Sequence, residues 1–252
     1  MTEASFTPAV SSHFFKLRAI PCLNSCQRVE SHQLAVLPSG SILNESTDGL
    51  GNLLQFGEYH SPHDYFRMTS EGIVCCEKYR VIDASPNDIY LFPSKLTRCD
   101  LPAQEWAQEV TKQGADTIGK ATLLMHAIQQ RLTYQRYATN NATSAMEVFE
   151  RGLGVCQDYA HLMTALCRSM GIRARYVNGL VLGEGETHAW VEVHDGAAWL
   201  GFDPTYDKII DWGYIKIAHG RDVSDCPSNR GQFFARTNIE EQLTIICEMK
   251  EL

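Results

Sequence analysis

Residues 154–171 read G-V-C-Q-D-Y-A-H-L-M-T-A-L-C-R-S-M-G. A cysteine opens a helical pattern. Tyr159, Met163, Leu166 and Met170 recur at helical spacing, and Leu162 and Ala165 widen the apolar stripe. Gly152 and Gly154 interrupt the preceding segment, and Gly171 suits the position just past the last turn. The pattern predicts Cys156 in the first turn of a buried helix. Unpaired backbone N–H groups and the helix dipole favour an anion there. A thiol so placed can have its pKa lowered from about 8.5 to roughly 3.5–7.5. Taken alone, the helix fits a small buried cysteine better than a nucleophile.

Downstream residues add partners. E-T-H-A-W-V-E-V at 186–193 alternates as a strand does, with His188 near its start. A-W-L-G-F-D-P-T at 198–205 is a second strand-like run, ending on Asp203 before a proline. H-D-G-A between them predicts a hairpin. Neighbouring antiparallel strands can set His188 beside Asp203. A thiolate needs a base, and the base needs an orienting carboxylate; Cys156, His188 and Asp203 are those residue types on compatible elements. The same three donors could instead hold a catalytic zinc with an open position. Each comes singly from its own element, and the hairpin order suits an orienting partner better than a ligand. No metal and no cofactor is expected.

The motifs G-V-C-Q-D-Y-A-H-L, T-H-A-W-V-E-V and W-L-G-F-D-P-T resemble the transglutaminase-like superfamily, in particular bacterial members described as cysteine proteases. The resemblance covers the second half of the chain well. It implies a papain-like Cys-His-Asp core. It also implies a donor ahead of the cysteine helix that helps the Cys156 N–H hold an oxyanion; Tyr134 matches that position loosely. F-F-K-L-R-A-I-P, Q-R-V and D-G-L-G-N-L-L-Q-F resemble the β-domain that precedes the core in bacterial members. H-G-R-D at 219–222 and Asp225 resemble the segment that follows the catalytic aspartate. Arg221 and Asp222 there are read as a structural pair.

The rest of the chain bounds the function. A net charge of −8 leaves no basic surplus for a nucleic-acid backbone. No run approaches the length of a membrane span, and M-T-E-A-S-F-T-P-A-V has no signal-peptide pattern. Nine cysteines at irregular spacing fit free thiols in a reducing cytoplasm. Cys75 and Cys76 should point to opposite faces of one strand.

Strand-like runs at 13–20, 27–37, 52–56, 64–68 and 72–81, parted by turn signals, predict a β-sandwich-like N-terminal domain over 1–95. Residues 92–101 read as a linker to a catalytic domain over 96–252. Helices are expected at 103–112, 117–132 and 144–151, the last capped by Thr143 or Ser144 with Glu147 reaching back. Residues 241–249 read as a closing strand. The fold class is α+β: an all-β domain, then a papain-like or transglutaminase-like core with the cysteine helix packed on an antiparallel sheet.

The other candidates read as structure. His60 and His63 fit a solvated turn, His161 a helix histidine off the cysteine's face, His194 an exposed turn, and Asp158 an N-terminal helix acid. The function expected is a cysteine-dependent amide-bond hydrolase, peptidase or amidase, working through a thioester on a peptide or protein substrate. Acyl transfer to an amine and a catalytically silent interaction module are the alternatives. No calcium loop of the D-x-D-x-D-G kind is present, which disfavours a calcium-activated cross-linker.

Overall fold

The structure is a computed structural model and describes residues 1–82 and 86–252. Five strands come first: β1 (Thr2–Leu17), β2 (Gln27–Leu37), β3 (Ile42–Thr47), β4 (Leu53–Tyr59) and β5 (His63–Cys76). They lie antiparallel in the order β2-β5-β1-β4-β3. β1 does double duty. Its first part pairs with β5 through Thr2–Ser5, and its second part pairs with β4 through His13–Leu17. Between them Pro8 cannot donate to a ladder, and Ser12 takes a φ of 48°. The strand bends there, and apolar residues of both parts (Ala4, Phe6, Val10, Phe15, Leu17) close on Phe66 and Met68 of β5.

Two details differ from the sequence reading. β1 begins well before His13. The runs at 64–68 and 72–81 merge into one strand that stops at Cys76, because the Ser70-Glu71-Gly72 step that looks like a break is paired throughout with β2. A Cβ at Gly72 would stand 2.4 Å from the Ser31 carbonyl oxygen. Glycine there permits a close strand approach, not a turn.

The helices follow their local signals. α1 (Leu101–Val110) starts on Asp100, whose carboxylate accepts from the Ala103 N–H at 3.0 Å. α2 (Thr117–Arg131) starts on Asp116 in the same way. A short β6 (Thr133–Tyr134) precedes α3 (Ala145–Arg151). Ser144 caps α3, and Glu147 returns a bond to the Ser144 N–H at 2.8 Å. α3 stops at Gly152, whose φ of 68° is left-handed and costs glycine little. β7 (Leu153–Gly154) pairs in parallel with β6, and α4 (Cys156–Ser169) follows at once.

A second antiparallel sheet carries the rest: β8 (Ala174–Val181), β10 (His188–His194), β11 (Trp199–Asp203), β12 (Lys208–Ile209) and β13 (Tyr214–Gly220), ordered β12-β11-β10-β8-β13. β9 (Gly183–Gly185) lies between β8 and β10 in sequence. α4 is buried between this sheet and α1–α3; every residue from Asp158 to Arg168 is buried. The chain is therefore an α+β protein with an all-β first part and a cysteine-bearing helix against an antiparallel sheet.

The chain end returns to the beginning. β14 (Asn229–Phe234) and β15 (Glu240–Ile245) both pair with β1, and β16 (Cys247–Met249) pairs with β9. The segment read as a closing strand thus hydrogen-bonds to the first sheet and to the β9 ribbon. Residues 94–97, read within a linker, are packed: Ser94, Leu96 and Thr97 are buried. Arg168, deep in α4, donates to Thr97 Oγ1 at 2.9 Å and to the Tyr90 and Arg221 carbonyls. Among the described residues, no helix is long and apolar enough to cross a membrane.

Candidate active site

Cys156 begins α4, as its spacing requires. Helix geometry leaves the first-turn N–H groups without intrahelical partners, so the thiol emerges beside unpaired donors. Asp158 shapes this corner. Its carboxylate accepts from the Val155 N–H at 2.8 Å and from the Thr139 hydroxyl at 2.6 Å. Gly154 makes room for it, since a Cβ at 154 would lie 2.6 Å from the Asp158 Cβ. The carboxyl pKa is raised because burial outweighs those two hydrogen bonds. Asp158 therefore holds the cysteine loop and is not presented to the cleft.

His188 opens β10, and Asp203 closes β11. Val191 stands opposite Phe202, so Asp203 faces Trp190 and His188 lies two residues farther along the same face. That diagonal lets His188 Nε2 meet Asp203 Oδ2 at 2.7 Å. Cys156 lies close enough to the same imidazole to favour its charged form, and with Nε2 engaged by Asp203 the free nitrogen is Nδ1. Burial opposes charge on His188, but the bonds to Asp203 and Cys156 outweigh it and raise the pKa to about 9. The imidazole stands between thiol and carboxylate. Such a linear order suits a proton relay; a metal site needs its donors to converge on one point.

Sequence reading did not find the groups around Asp203. Tyr214 Oη donates to Asp203 Oδ2 at 2.8 Å, and the Thr205 and Tyr206 N–H groups donate to Oδ1 at 2.9 and 3.3 Å. The carboxylate is fully buried yet fully bonded. The Tyr206 ring stacks on the His188 ring, centroids 5.1 Å apart and planes 19° from parallel. The D-P-T-Y sequence after β11 is the only local hint, because a proline there forces a turn whose amides curl back on the aspartate.

The site opens into a cleft of about 320 Å³. Tyr134 borders it with Cys156, His188 and Tyr206, and β6–β7 pairing holds Tyr134 beside Gly154. Arg136, Glu184 and Glu186 supply charge at the rim. The other histidines lie elsewhere. His161 is buried on the far side of α4, where its Nε2 accepts from the Val223 N–H at 3.1 Å. His194, expected in an exposed turn, is buried on β10 against Trp199 because the turn begins one residue later. His63, expected in solvent, is buried at the start of β5 and bonded to His13 at 3.2 Å. His60 is exposed. Arg221 pairs with Asp225, not with Asp222, whose carboxylate accepts from the Ser224 N–H. Cys75 and Cys76 are free thiols on β5.

Two family models match this chain. The transglutaminase-like superfamily core matches residues 104–204, and the bacterial transglutaminase-like N-terminal region matches residues 1–75. The chain belongs to the transglutaminase-like superfamily. A Mycobacterium tuberculosis relative, "Uncharacterized protein Rv2569c", is 29% identical over 96% of this chain and 88% of its own. A Mycobacterium leprae relative, "Uncharacterized protein ML0607", is 27% identical over 98% and 94%. Among solved structures, the "Putative Cysteine Protease from Cytophaga hutchinsonii" shares the fold, with a TM-score of 0.76 over 97% of this chain and 89% of that one, at 24% identity. The core match ends one residue past Asp203, so it spans all three residues of the cysteine–histidine–aspartate line.

Proposed function

We propose that this transglutaminase-like chain is a cysteine-dependent amide-bond hydrolase. The observation that carries the reading is the line Asp203–His188–Cys156, with a 2.7 Å bond at one end and the thiol on the imidazole at the other. His188 holds the proton given up by Cys156, and this imidazolium is stabilised by Asp203. The thiolate attacks an amide carbonyl. The oxyanion is held by the Cys156 N–H, with Tyr134 at the cleft wall as the second donor. His188 then protonates the departing amine, leaving a thioester on Cys156. Water, deprotonated by His188, attacks the thioester and releases the acid. Each step uses one proton on one imidazole, so the cycle closes.

The substrate class that fits is a peptide or protein amide, and the domain division at residue 95 would leave this chemistry entirely to residues 96–252. The test is an acyl-enzyme trap. Peptide amides are incubated with the protein, quenched in acid and mapped by mass spectrometry. A thioester at Cys156, absent from Cys156→Ala and insensitive to a strong chelator, is the expected result. Chelator-sensitive turnover that survives Cys156→Ala would reject the thiol mechanism. Lysine methyl ester added to the same reaction tells water from amine as the acyl acceptor.

A further inference from the structure

One oxygen of Asp203 is shared. Oδ2 accepts from His188 Nε2 at 2.7 Å and from the Tyr214 hydroxyl at 2.8 Å. Strand neighbourhood alone does not bring the phenol there. β13 is an edge of the second sheet, and β8 and β10 lie between it and β11. Tyr214 stands opposite Val181 of β8, and His188 stands opposite Gly179 on the other side of that strand. Tyr214 therefore reaches past the start of β10 to meet the carboxylate.

Its ring is held on the way. Trp190 packs edge-on against it, centroids 5.3 Å apart and planes 78° from parallel, and Lys208 Nζ of β12 lies 5.6 Å from the ring centroid. A Cβ at Gly179 would stand 2.4 Å from Trp190 Cη2, so the glycine makes room for the indole. Tyr214 is buried and borders no part of the cysteine cleft. Burial, then the charge of Asp203, raises its pKa above the usual tyrosine value, so the hydroxyl donates at neutral pH.

Two donors on one oxygen compete. A carboxylate oxygen whose charge is already met by a phenol holds a second proton less tightly. His188 has opposed needs. It must keep a proton while Cys156 is a thiolate, then release that proton to the departing amine. An Asp203 without the phenol would grip it harder. Oδ1 is fixed separately, by the Thr205 and Tyr206 amides.

We propose that Tyr214 is a positioning residue of the active site: its hydroxyl sets Asp203 Oδ2 on His188 Nε2 and limits how tightly that oxygen holds the ring proton. Its effect on turnover rests on the hydrolase reading; its effect on the imidazole does not. The titratable groups facing His188 and Tyr214 are Cys156 of α4, Asp203 of β11, Tyr206 in the turn after it, Lys208 of β12 and Asp211 ahead of β13.

Tyr214→Phe removes the hydroxyl and keeps the ring. It orphans no oxygen of Asp203, because Oδ2 retains His188 and Oδ1 retains two amides. The full-length chain is isotope-labelled in its histidine rings and His188 is titrated by nuclear magnetic resonance, its signal being the one lost in His188→Gln. Both arms carry Cys156→Ala, so that no thiol titrates together with the ring. Tyr214→Phe should raise the His188 midpoint by roughly half a pH unit or more. With Cys156 restored, kcat on a peptide amide should fall about three- to tenfold while KM holds, since Tyr214 lies outside the cleft. Tyr79→Phe is the control. Its hydroxyl also donates to a buried carboxylate, Glu192, at 2.8 Å, so it carries a similar structural cost away from Asp203. It should leave the His188 midpoint in place. An unmoved or lowered midpoint in Tyr214→Phe, or an equal rise in Tyr79→Phe, overturns the inference. Failure of the hydrolase reading shows separately: the wild type would form no thioester while the midpoint still rose.

Discussion

At the residue scale the site is an argument about one imidazole. His188 is charged through neutral pH because two partners outweigh its burial and raise its pKa to about 9. Seven of the eight other thiols are disadvantaged. Burial raises Cys22, Cys26, Cys76, Cys99, Cys226 and Cys247, and pushes Cys167 up to about 12. Iodoacetamide at pH 7 should therefore alkylate Cys156 first among the nine, as read by peptide mapping of partial labelling; uniform labelling would remove the basis for a nucleophile. Asp203→Asn keeps the Tyr214 contact but loses the charge that orients His188. Turnover should drop by roughly 10–10³, less than the ~10⁴ of serine triads, because a thiolate–imidazolium pair is partly self-sustaining. His188 also sets a stability slope. Its folded pKa lies above the ordinary 6.5, so its contribution is complete below pH 6.5 and is lost as pH rises through about 9.

At the element scale the second sheet is tied by one buried carboxylate. Glu192 on β10 accepts from Arg175 on β8, from Lys216 Nζ on β13 at 2.7 Å and from Tyr79 Oη at 2.8 Å. Burial resists charge on Glu192, but the two cations prevail and hold its pKa near 2. Strands β8, β10 and β13 are thus held together by charge as well as by ladders. Glu192→Gln would leave Lys216 buried with no anionic partner on β10. A loss of about 3–5 kcal/mol in denaturant unfolding is expected. A loss below ~1 kcal/mol would mean that Lys216 releases its proton or reaches water instead. α4 shows the same economy. Its buried Arg168 spends its donors on the carbonyls of three separate segments and on Thr97 Oγ1, which locks the 94–97 stretch against the core.

At the scale of the whole molecule, acid is the weakness. Burial, then the neighbouring His63, lowers His13 to about 4; burial lowers His161 to about 4 despite Asp222. Both rings fold neutral. The unfolded chain takes up protons as pH falls through 6.5, and the folded chain does so only near 4. Stability should therefore fall with pH across that window, by up to ~1.4 kcal/mol per unit for each ring. Urea midpoints at pH 7, 5.5 and 4 measure this, with His13 in the first sheet and His161 in α4. Flat midpoints over the window would show that the imidazoles are solvated. The two histidines lie in different layers, so acid loosens the β1 sheet and the cysteine helix together.

Much of this was legible in the chain. The cysteine helix, its glycine breaks, the His188 strand, the Asp203 strand and the Ser144 cap are all local patterns, set by periodicity, turn residues and capping chemistry within a few positions. Local physics carries them, so a reader of the sequence finds them. Other features depend on segments far apart in the chain. Tyr214 reaches Asp203, Arg168 reaches Thr97, and Lys216 reaches Glu192, and no spacing announces these because each partner belongs to another element. The return of residues 229–245 to β1 is of the same kind, since a short exposed strand carries no mark of which edge it will join. His63 was misread for a related reason: a histidine beside a turn looks solvated until a strand distant in sequence packs against it. Sequence determined which residues could do the chemistry. Tertiary structure decided which partners hold them, because those partners come from elements far away in the chain.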